Sequence, residues 1–196
     1  MAYARIKYLG TKPMDDKAIQ FTYQDYLLFP YDLKIHQIIE GEHYVNPSPI
    51  PYHQAISRNL IRILAEYVER NDLGEVFQAP IDVVLSNTNV LVPDLIFISR
   101  ARSAIIEEKY VAGAPDLVIE ILSEGTKTVD QGLKSKVYAK FGVSEYWIVD
   151  PKKKTVKLYR LNRRRYQEHA LFTHPEELTT PTFPGLRVRL AEVFRK

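Results

Sequence analysis

Residues 113–122 read GAPDLVIEIL, and this stretch decides the fold. Gly113 and Pro115 are turn residues, and most of the positions that follow them are apolar. Successive side chains of a strand point to opposite faces of its sheet, so this stretch presents apolar side chains to both faces. That pattern is typical of a central strand that is covered on both sides.

Glu120 is the exception within this predicted strand. An ionised carboxylate on a covered face costs several kcal/mol unless a cation, a metal ion or strong hydrogen-bond donors face it. A structural ion pair is one explanation, since such pairs also hold buried acids, and a functional site is the other. The first question that the sequence raises is therefore what Glu120 contacts.

The composition is that of a globular protein. The 196 residues suit one domain with a full core, and 45% hydrophobic with 26% charged residues is ordinary. We find neither an apolar run of about 18 residues nor a charged start before a short apolar core, so we expect a cytoplasmic protein with no membrane contact. The absence of cysteine excludes disulfides and thiolate sites, and it favours a hard metal such as Mg²⁺.

The positive charge is unevenly distributed. The chain has a net charge of +3, but residues 127–165 hold twelve lysines and arginines against three acidic residues, a net charge of +9. A basic segment beside a buried acid suits a polyanionic substrate, and the arginines of residues 163–165 could contact phosphates. The alternative is an exposed hairpin whose lysines and arginines serve solubility.

Hydrophobic periodicity predicts the order of the elements. Residues 1–30 are expected to form an arm packed on a single domain of residues 31–196. The predicted elements are a hairpin over 34–46 that turns at Gly41, a helix over 53–70, β-runs over 74–79, 81–85 and 91–99, the central strand, a helix over 131–141, a strand over 145–150, a meander over 155–161 and 166–172, and a packed tail.

The helix over 131–141 has a register that places one lysine inward. Lys134 shares a face with Val137 and Tyr138, whereas Lys136 lies on another face. The order of strand, helix and strand predicts a right-handed crossover between two parallel strands. Lys134 is therefore expected beside the central strand.

Asp94, Glu120 and Lys134 form a candidate catalytic set. If the strands that carry the two acids are neighbours, their carboxylates and the backbone carbonyl of Ile121 can bind one hard cation. Such a cation polarises a phosphodiester and lowers the pKa of a bound water, while an ammonium group stabilises charge on the phosphate. This chemistry is the metal-dependent cleavage of nucleic-acid strands.

Three segments resemble the Uma2 family, also called DUF820. They are VPDLIFIS around Asp94, APDLVIEILS around Glu120, and DQGLKSKVYAKFGVSEYWIVD over residues 130–150. The resemblance implies the PD-(D/E)XK superfamily and its restriction-endonuclease-like fold, an α/β fold whose mixed central β-sheet is flanked by helices, here with an N-terminal hairpin and a C-terminal β-meander. It also implies magnesium, with Asp94 and Glu120 as the acidic residues of the two motifs.

The sequence departs from the superfamily motif at Leu122, where a lysine is expected two residues after Glu120. Helix register and the resemblance to Uma2 both indicate Lys134 as the replacement, with Lys136 as the alternative. Asp116 could replace Glu120 as the acid, but four residues of strand, about 13 Å, separate the two. Asp116 is better interpreted as a turn residue or a cap at the start of the strand.

Two further residues are candidates by resemblance. Glu42 resembles the glutamate of a Gly-Glu pair before the first helix of the family, and superfamily members often use a glutamate from this region, with Glu40 as the alternative. His53 matches a family histidine, although a lone histidine at the inner edge of a helix is more often a core residue.

We therefore predict a Mg²⁺-dependent endonuclease that cleaves DNA, with Mn²⁺ as a possible substitute. The catalytic residues are Asp94, Glu120, Lys134 and Glu42, and the metal ligands are Asp94, Glu120 and Ile121. A homodimer is expected, because double-strand cleavage needs two sites. The alternatives are a non-catalytic nucleic-acid or protein-binding module that retains the fold, and an enzyme that acts on another phosphoester, such as a nucleotide.

Overall fold

Turn residues divide the chain into short strands and a few helices. The computed structural model describes residues 20–196 apart from residues 31, 33, 47 and 124–128. The α-helices are α1 (Tyr23–Tyr26), α2 (Pro51–Arg70), α3 (Ser135–Phe141) and α4 (Leu190–Val193). The strands are β1 (Ile35–Ile39), β2 (Glu42–Asn46), β3 (Gly74–Gln78), β4 (Val83–Ser86), β5 (Asn89–Leu91), β6 (Leu95–Ser99), β7 (Val111–Ala112), β8 (Leu117–Ile121), β9 (Glu145–Asp150), β10 (Thr155–Asn162), β11 (Arg165–Thr173), β12 (Glu177–Leu178) and β13 (Val188–Arg189).

The predicted central strand is β8, in the interior of a six-stranded sheet. The strand order of this sheet is β11-β10-β9-β8-β6-β3. β8 and β9 are parallel and are connected through α3, as the sequence predicts, while the remaining neighbours are antiparallel. The sheet is therefore mixed, and β10 and β11 extend it as the predicted meander.

Both faces of β8 are covered. Leu117, Ile119 and Ile121 belong to one apolar core, which contains α2 and the C-terminal tail. Val118 and Leu122 belong to a second core, which contains side chains of α3 and of another sheet. Two covered faces are the reason that β8 is apolar at nearly every position.

A second sheet packs on the core that contains α3. Its order is β2-β1-β5-β4-β7, so the predicted N-terminal hairpin belongs to a five-stranded sheet of its own. The predicted β-run over 91–99 is divided, because β5 belongs to this second sheet and β6 to the six-stranded sheet. Pro93 lies in the connection, where its lack of a backbone N–H costs no ladder hydrogen bond.

The hairpin between β1 and β2 turns at Gly41, as predicted. Glu40 and Gly41 have φ angles of 52° and 80°, the left-handed values that a two-residue turn requires. The N–H of Gly41 donates to the carbonyl of Thr88 at 2.9 Å. The turn end of the hairpin therefore contacts the turn between β4 and β5.

The two long helical segments differ from prediction at their amino ends. α2 begins at Pro51, two residues before the predicted start, because proline suits the first turn of a helix. α3 is preceded by a π-helical segment, Val129–Lys134, so the predicted helix over 131–141 has two helical types. α3 ends at Phe141 and is followed by Gly142, whose φ of 92° is the left-handed conformation typical of a helix C-terminus.

The described part of the predicted arm, residues 20–30, packs on the second sheet. Thr22 caps α1 in a reciprocal pair of hydrogen bonds with Asp25. The Tyr26 hydroxyl donates to the Asp82 carboxylate at 2.6 Å, and burial raises the pKa of Asp82 above its ordinary value. Residues 1–19 of the predicted arm lie outside the described residues.

The C-terminal tail packs on the core that contains α2, as the sequence predicts. Its apolar side chains are buried there, namely Leu186, Val188, Leu190 and Phe194. Within the described residues, no helix is both long and apolar enough to cross a membrane.

Leu60 tests the contribution of α2 to this core. Its side chain is fully buried, so Leu60→Ala should lower the free energy of unfolding by about 2–5 kcal/mol, because the substitution leaves a cavity. The exposed Glu69 on the same helix is the matched control, and Glu69→Ala should change the value by about 0.5 kcal/mol or less. Urea denaturation measures both, and equal losses would contradict the packing described here.

Candidate active site

The candidate active site lies at the carboxyl end of β8. Leu95 of β6 pairs with Ile119 of β8, and one further step of this antiparallel register places Asp94 opposite Glu120. Cα atoms of opposed residues lie about 4.5–5.5 Å apart. The Asp94 Oδ2 atom also accepts a hydrogen bond from the Ile121 N–H at 2.7 Å. The fold therefore makes the two acids neighbours, although 26 positions of sequence separate them.

Asp94 stands at a bend between the two sheets. Its carbonyl accepts a hydrogen bond from the Ala79 N–H at 2.9 Å, so its backbone is held from the β3 side while its side chain is held from the β8 side. The side chain is 18% exposed, in contrast to the first four residues of β6, which are buried. This partial exposure gives a ligand access to the carboxylate.

Glu120 is buried and faces α3. Its side chain is about 3% exposed, and its Oε1 atom accepts hydrogen bonds from the Lys134 Nζ at 3.0 Å and from the Tyr138 hydroxyl at 2.8 Å. Lys134 is 1% exposed, so both charges of the pair are removed from water. The ammonium group and the phenol supply the cation and the donor that a buried carboxylate needs. Lys134 thus lies where the register of the helix predicts it.

Leu122 packs in the core between the sheet and α3, with 6% of its surface exposed. The superfamily motif has its lysine at this strand position. In this chain the ammonium group reaches the acid from the neighbouring helix instead. A cation therefore lies beside Glu120 although Leu122 occupies the strand position.

His53 lies in the same group of residues. Its Nε2 atom is 3.0 Å from the Ile121 carbonyl oxygen and 3.4 Å from the Asp94 Oδ2 atom. A carbonyl oxygen can only accept, so Nε2 carries the proton of this hydrogen bond. The first turn of α2 is thereby joined to the end of β8. The histidine is buried, as a core residue would be, but its ring contacts two of the predicted metal ligands.

The oxygen atoms at this place fit a hard cation. The carboxylates of Asp94 and Glu120 and the carbonyl of Ile121 come from two adjacent strands, and oxygen ligands are those that Mg²⁺ and Mn²⁺ prefer. Within the described residues, no three histidine or acidic side chains form a metal-binding cluster. Two carboxylates and a carbonyl suit Mg²⁺, which binds one or two carboxylates and retains several waters.

Glu42 lies in the N-terminal hairpin, on the second sheet. It begins β2 at the turn end of the hairpin, is exposed, and accepts a hydrogen bond from the Tyr44 hydroxyl at 2.9 Å. The Gln37 side chain, in the middle of β1, accepts from the Val92 N–H at 3.0 Å, two residues before Asp94. Glu40 lies in the turn itself, 3.8 Å from Lys140. A catalytic role for Glu42 stays a prediction from resemblance.

The two alternatives from the sequence lie elsewhere. Lys136 is exposed on α3, on a different face from Lys134. Asp116 lies at the other end of β8, where its carboxylate accepts from the Ser99 N–H at 2.7 Å and from Arg102 at 3.1 Å. These contacts confirm that Asp116 caps the start of the strand.

Tyr138 is a member of the group to which the sequence analysis gave no role in the site. The available signal was its position four residues after Lys134, on the same face of the helix. Its ring is fully buried against Tyr146, with ring centroids 5.4 Å apart, while its hydroxyl reaches Glu120. One side chain thus contributes to both the core and the site.

The chain is similar to known proteins in sequence and in fold. The family model "Uma2: Putative restriction endonuclease" matches residues 23–191. The crystal structure of a protein described as a putative nuclease of DUF820, from Anabaena variabilis ATCC 29413, superposes with a TM-score of 0.74. The two chains are 23% identical, and the match covers 89% of this chain and 97% of the other, which shows a shared fold. No curated protein matches the sequence.

The match to the family model covers residues 23–30 of the arm, both sheets, α2, α3 and most of the tail. It includes the carboxyl end of β8 and each of the residues that meet there. This chain therefore belongs to the Uma2 family, whose model carries the description "Putative restriction endonuclease".

Proposed function

We propose that this protein is a metal-dependent endonuclease that hydrolyses phosphodiester bonds in DNA, with Mg²⁺ as the metal and Mn²⁺ as a possible substitute. The observation that carries the proposal is the meeting of Asp94, the Ile121 carbonyl and the Glu120–Lys134 pair at one end of β8. Membership in the Uma2 family supports the nuclease assignment. The oxygen ligands support the choice of a hard metal.

Asp94, Glu120 and the carbonyl of Ile121 would hold the metal. When bound there, the metal supplies Lewis-acid polarisation of the phosphate and a lower pKa for a coordinated water. Asp94 is itself oriented by the Ile121 N–H, so the aspartate and the carbonyl of the same residue are positioned by one backbone segment. His53 acts as a positioning residue, because its ring N–H donates to the Ile121 carbonyl.

Lys134 supplies positive charge to the reacting phosphate. Its Nζ atom is held 3.0 Å from Glu120, and Tyr138 holds the same carboxylate oxygen, so neither side chain of the ion pair rotates freely. A charge that is already oriented and shielded from water stabilises a developing charge more strongly than a solvated one does. The lysine also places a cation beside the Glu120 carboxylate, and a carboxylate binds a metal in its ionised form.

The proposed substrate is DNA, cut by a homodimer. A dimer would present two copies of the site, one for each strand of a duplex. Size-exclusion chromatography with light scattering measures this state directly.

Metal binding tests the two carboxylates. Calorimetry should detect Mg²⁺ or Mn²⁺ binding to the wild type, while Asp94→Asn and Glu120→Gln should weaken it at least about tenfold, since each removes one charged ligand. The titrations should be repeated with a short DNA duplex, because a phosphate can complete the coordination.

Asp116→Asn is the matched control for these titrations. It changes a carboxylate of the same region at the opposite end of β8 and should leave the metal affinity unchanged. Circular dichroism checks that every variant is folded. If the wild type bound no metal with or without DNA, the Glu120–Lys134 pair would be structural, and the non-catalytic binding module would be the better function.

Cleavage of plasmid DNA tests Lys134. Lys134→Met keeps the length of the side chain and removes its charge, so the rate of cleavage at saturating DNA should fall about 100-fold or more. Lys136→Met is the control, because it removes an equal charge from the exposed face of the same helix, and its rate should stay within about twofold of the wild type.

Loss of an ion-pair partner can also unfold a protein, since it leaves a buried charge unpaired. Lys134→Met should therefore be assayed only where its circular dichroism matches that of the wild type, and Lys134→Arg, which keeps the charge, provides a second variant. A folded Lys134→Met that cleaved at the wild-type rate would remove Lys134 from the catalytic set.

A further inference from the structure

Two basic turns lie at the ends of β10, and the sequence alone does not distinguish them. The lysine turn contains Lys152, Lys153 and Lys154 and connects β9 to β10. The arginine turn contains the arginines of residues 163–165 and connects β10 to β11. Each turn has three exposed cationic side chains. The eight residues of β10 separate the two turns by about 25 Å.

Sheet topology places the lysine turn at the same end of the strands as the candidate active site. β8 and β9 are parallel, Ile121 pairs with Val149, and the Leu122 N–H donates to the Val149 carbonyl at 2.8 Å. The carboxyl ends of the two strands therefore coincide. β9 ends at Asp150, one residue after the Val149 that pairs with Ile121. Pro151 follows, and the three lysines of the lysine turn come directly after it.

The arginine turn lies at the opposite end of the strands of the same sheet. β10 is antiparallel to β9, with Arg160 paired to Glu145 at the amino end of β9. The Leu161 N–H donates to the Ser144 carbonyl at 2.9 Å, just before β9 begins. The arginines that follow are therefore on the side of Leu117, away from Glu120 and Ile121.

The lysine turn is formed in advance of any ligand. The Asp150 Oδ1 atom accepts hydrogen bonds from the N–H groups of Lys152 at 3.1 Å and Lys153 at 3.0 Å. Lys154 has a left-handed φ of 53°, and its carbonyl accepts from the His174 N–H at 3.0 Å. The backbone of the turn is thus held at both ends, which lowers the entropy lost when its side chains bind.

The three lysines are available to an anion. Among the described residues, no ion pair joins any of them to a carboxylate, whereas Lys157 on the adjacent strand is paired with Glu168 at 3.0 Å. Asp150 leaves the turn with a net charge of +2. Lysine is a point charge on a flexible stem, which suits phosphate oxygens of a backbone more than the edges of bases.

We propose that the lysine turn binds the DNA backbone at the end of the sheet's strands that carries the active site, and that the arginine turn takes no part in this contact. The three residues from Val149 to Lys152 span at most about 10 Å. A DNA strand advances about 3.4 Å per nucleotide along the helix axis, so the contacted phosphates lie within a few nucleotides of the scissile bond. The contact is independent of base sequence. The inference rests on the proposed nuclease function.

The test compares two triple variants that remove equal charge. In the lysine-turn variant, Lys152, Lys153 and Lys154 are replaced by Gln, and in the arginine-turn variant the three arginines of residues 163–165 are replaced by Gln. Fluorescence anisotropy with a 20-base-pair duplex in EDTA measures binding without cleavage. The lysine-turn variant should bind at least about tenfold more weakly at low salt, and its slope of log affinity against log salt should be smaller by about 2–3, at about 0.9 for each lost phosphate contact.

The arginine-turn variant should bind within about twofold of the wild type, because the charges that it lacks lie at the end of the strands away from the site. Equal losses in the two variants, or no loss in the lysine-turn variant, would overturn the inference. So would an RNA duplex of the same length that bound more tightly than DNA through the lysine turn.

Cleavage with Mg²⁺ separates this inference from the proposed function. The lysine-turn variant should raise KM and leave kcat nearly unchanged, because its side chains do not contact the reacting atoms. A wild type that binds DNA through the lysine turn and cuts no DNA would overturn the nuclease proposal and retain the docking surface. If the wild type cut DNA and the KM of the lysine-turn variant were unchanged, the nuclease proposal would be retained and the docking surface overturned.

Discussion

The ion pair between Glu120 and Lys134 joins the central strand to the helix that follows it, and the arrangement of the site depends on it. Both side chains are almost completely removed from water, where an unpaired charge would cost several kcal/mol. The two partners therefore constrain each other, and Tyr138 constrains the pair. An interaction that is expensive to break holds α3 against the carboxyl end of β8, where the other predicted metal ligands lie.

The remaining contacts of the site are made by backbone groups. Asp94 is oriented by the Ile121 N–H, and the Ile121 carbonyl is oriented by His53 from the first turn of α2. The segment just before β6 and the first turn of α2 thus meet at one residue of β8, Ile121. Peptide groups in the interior of a sheet have little freedom, so the geometry of the site follows from the register of β6 and β8.

Much of the fold was predictable because it follows from local patterns in the sequence. The buried strand around Glu120, the hairpin at Gly41, the helix that follows Pro51 and the inward register of Lys134 all follow from the spacing of apolar and turn residues. The division of the strands into two sheets was not predictable. The break at Pro93 marks a bend, but a bend does not specify which sheet its two sides join.

By itself, the sequence determined that β8 is covered on both faces, that Glu120 needs a partner and that Lys134 points inward, because alternation and helical spacing are properties of neighbouring residues. Only the tertiary structure decided that Asp94 lies opposite Glu120, that His53 reaches Ile121, and that the lysine turn lies beside the site while the arginine turn does not. Those relations depend on strand pairing across the sheet. Pairing brings distant residues together through hydrogen bonds that no local pattern encodes.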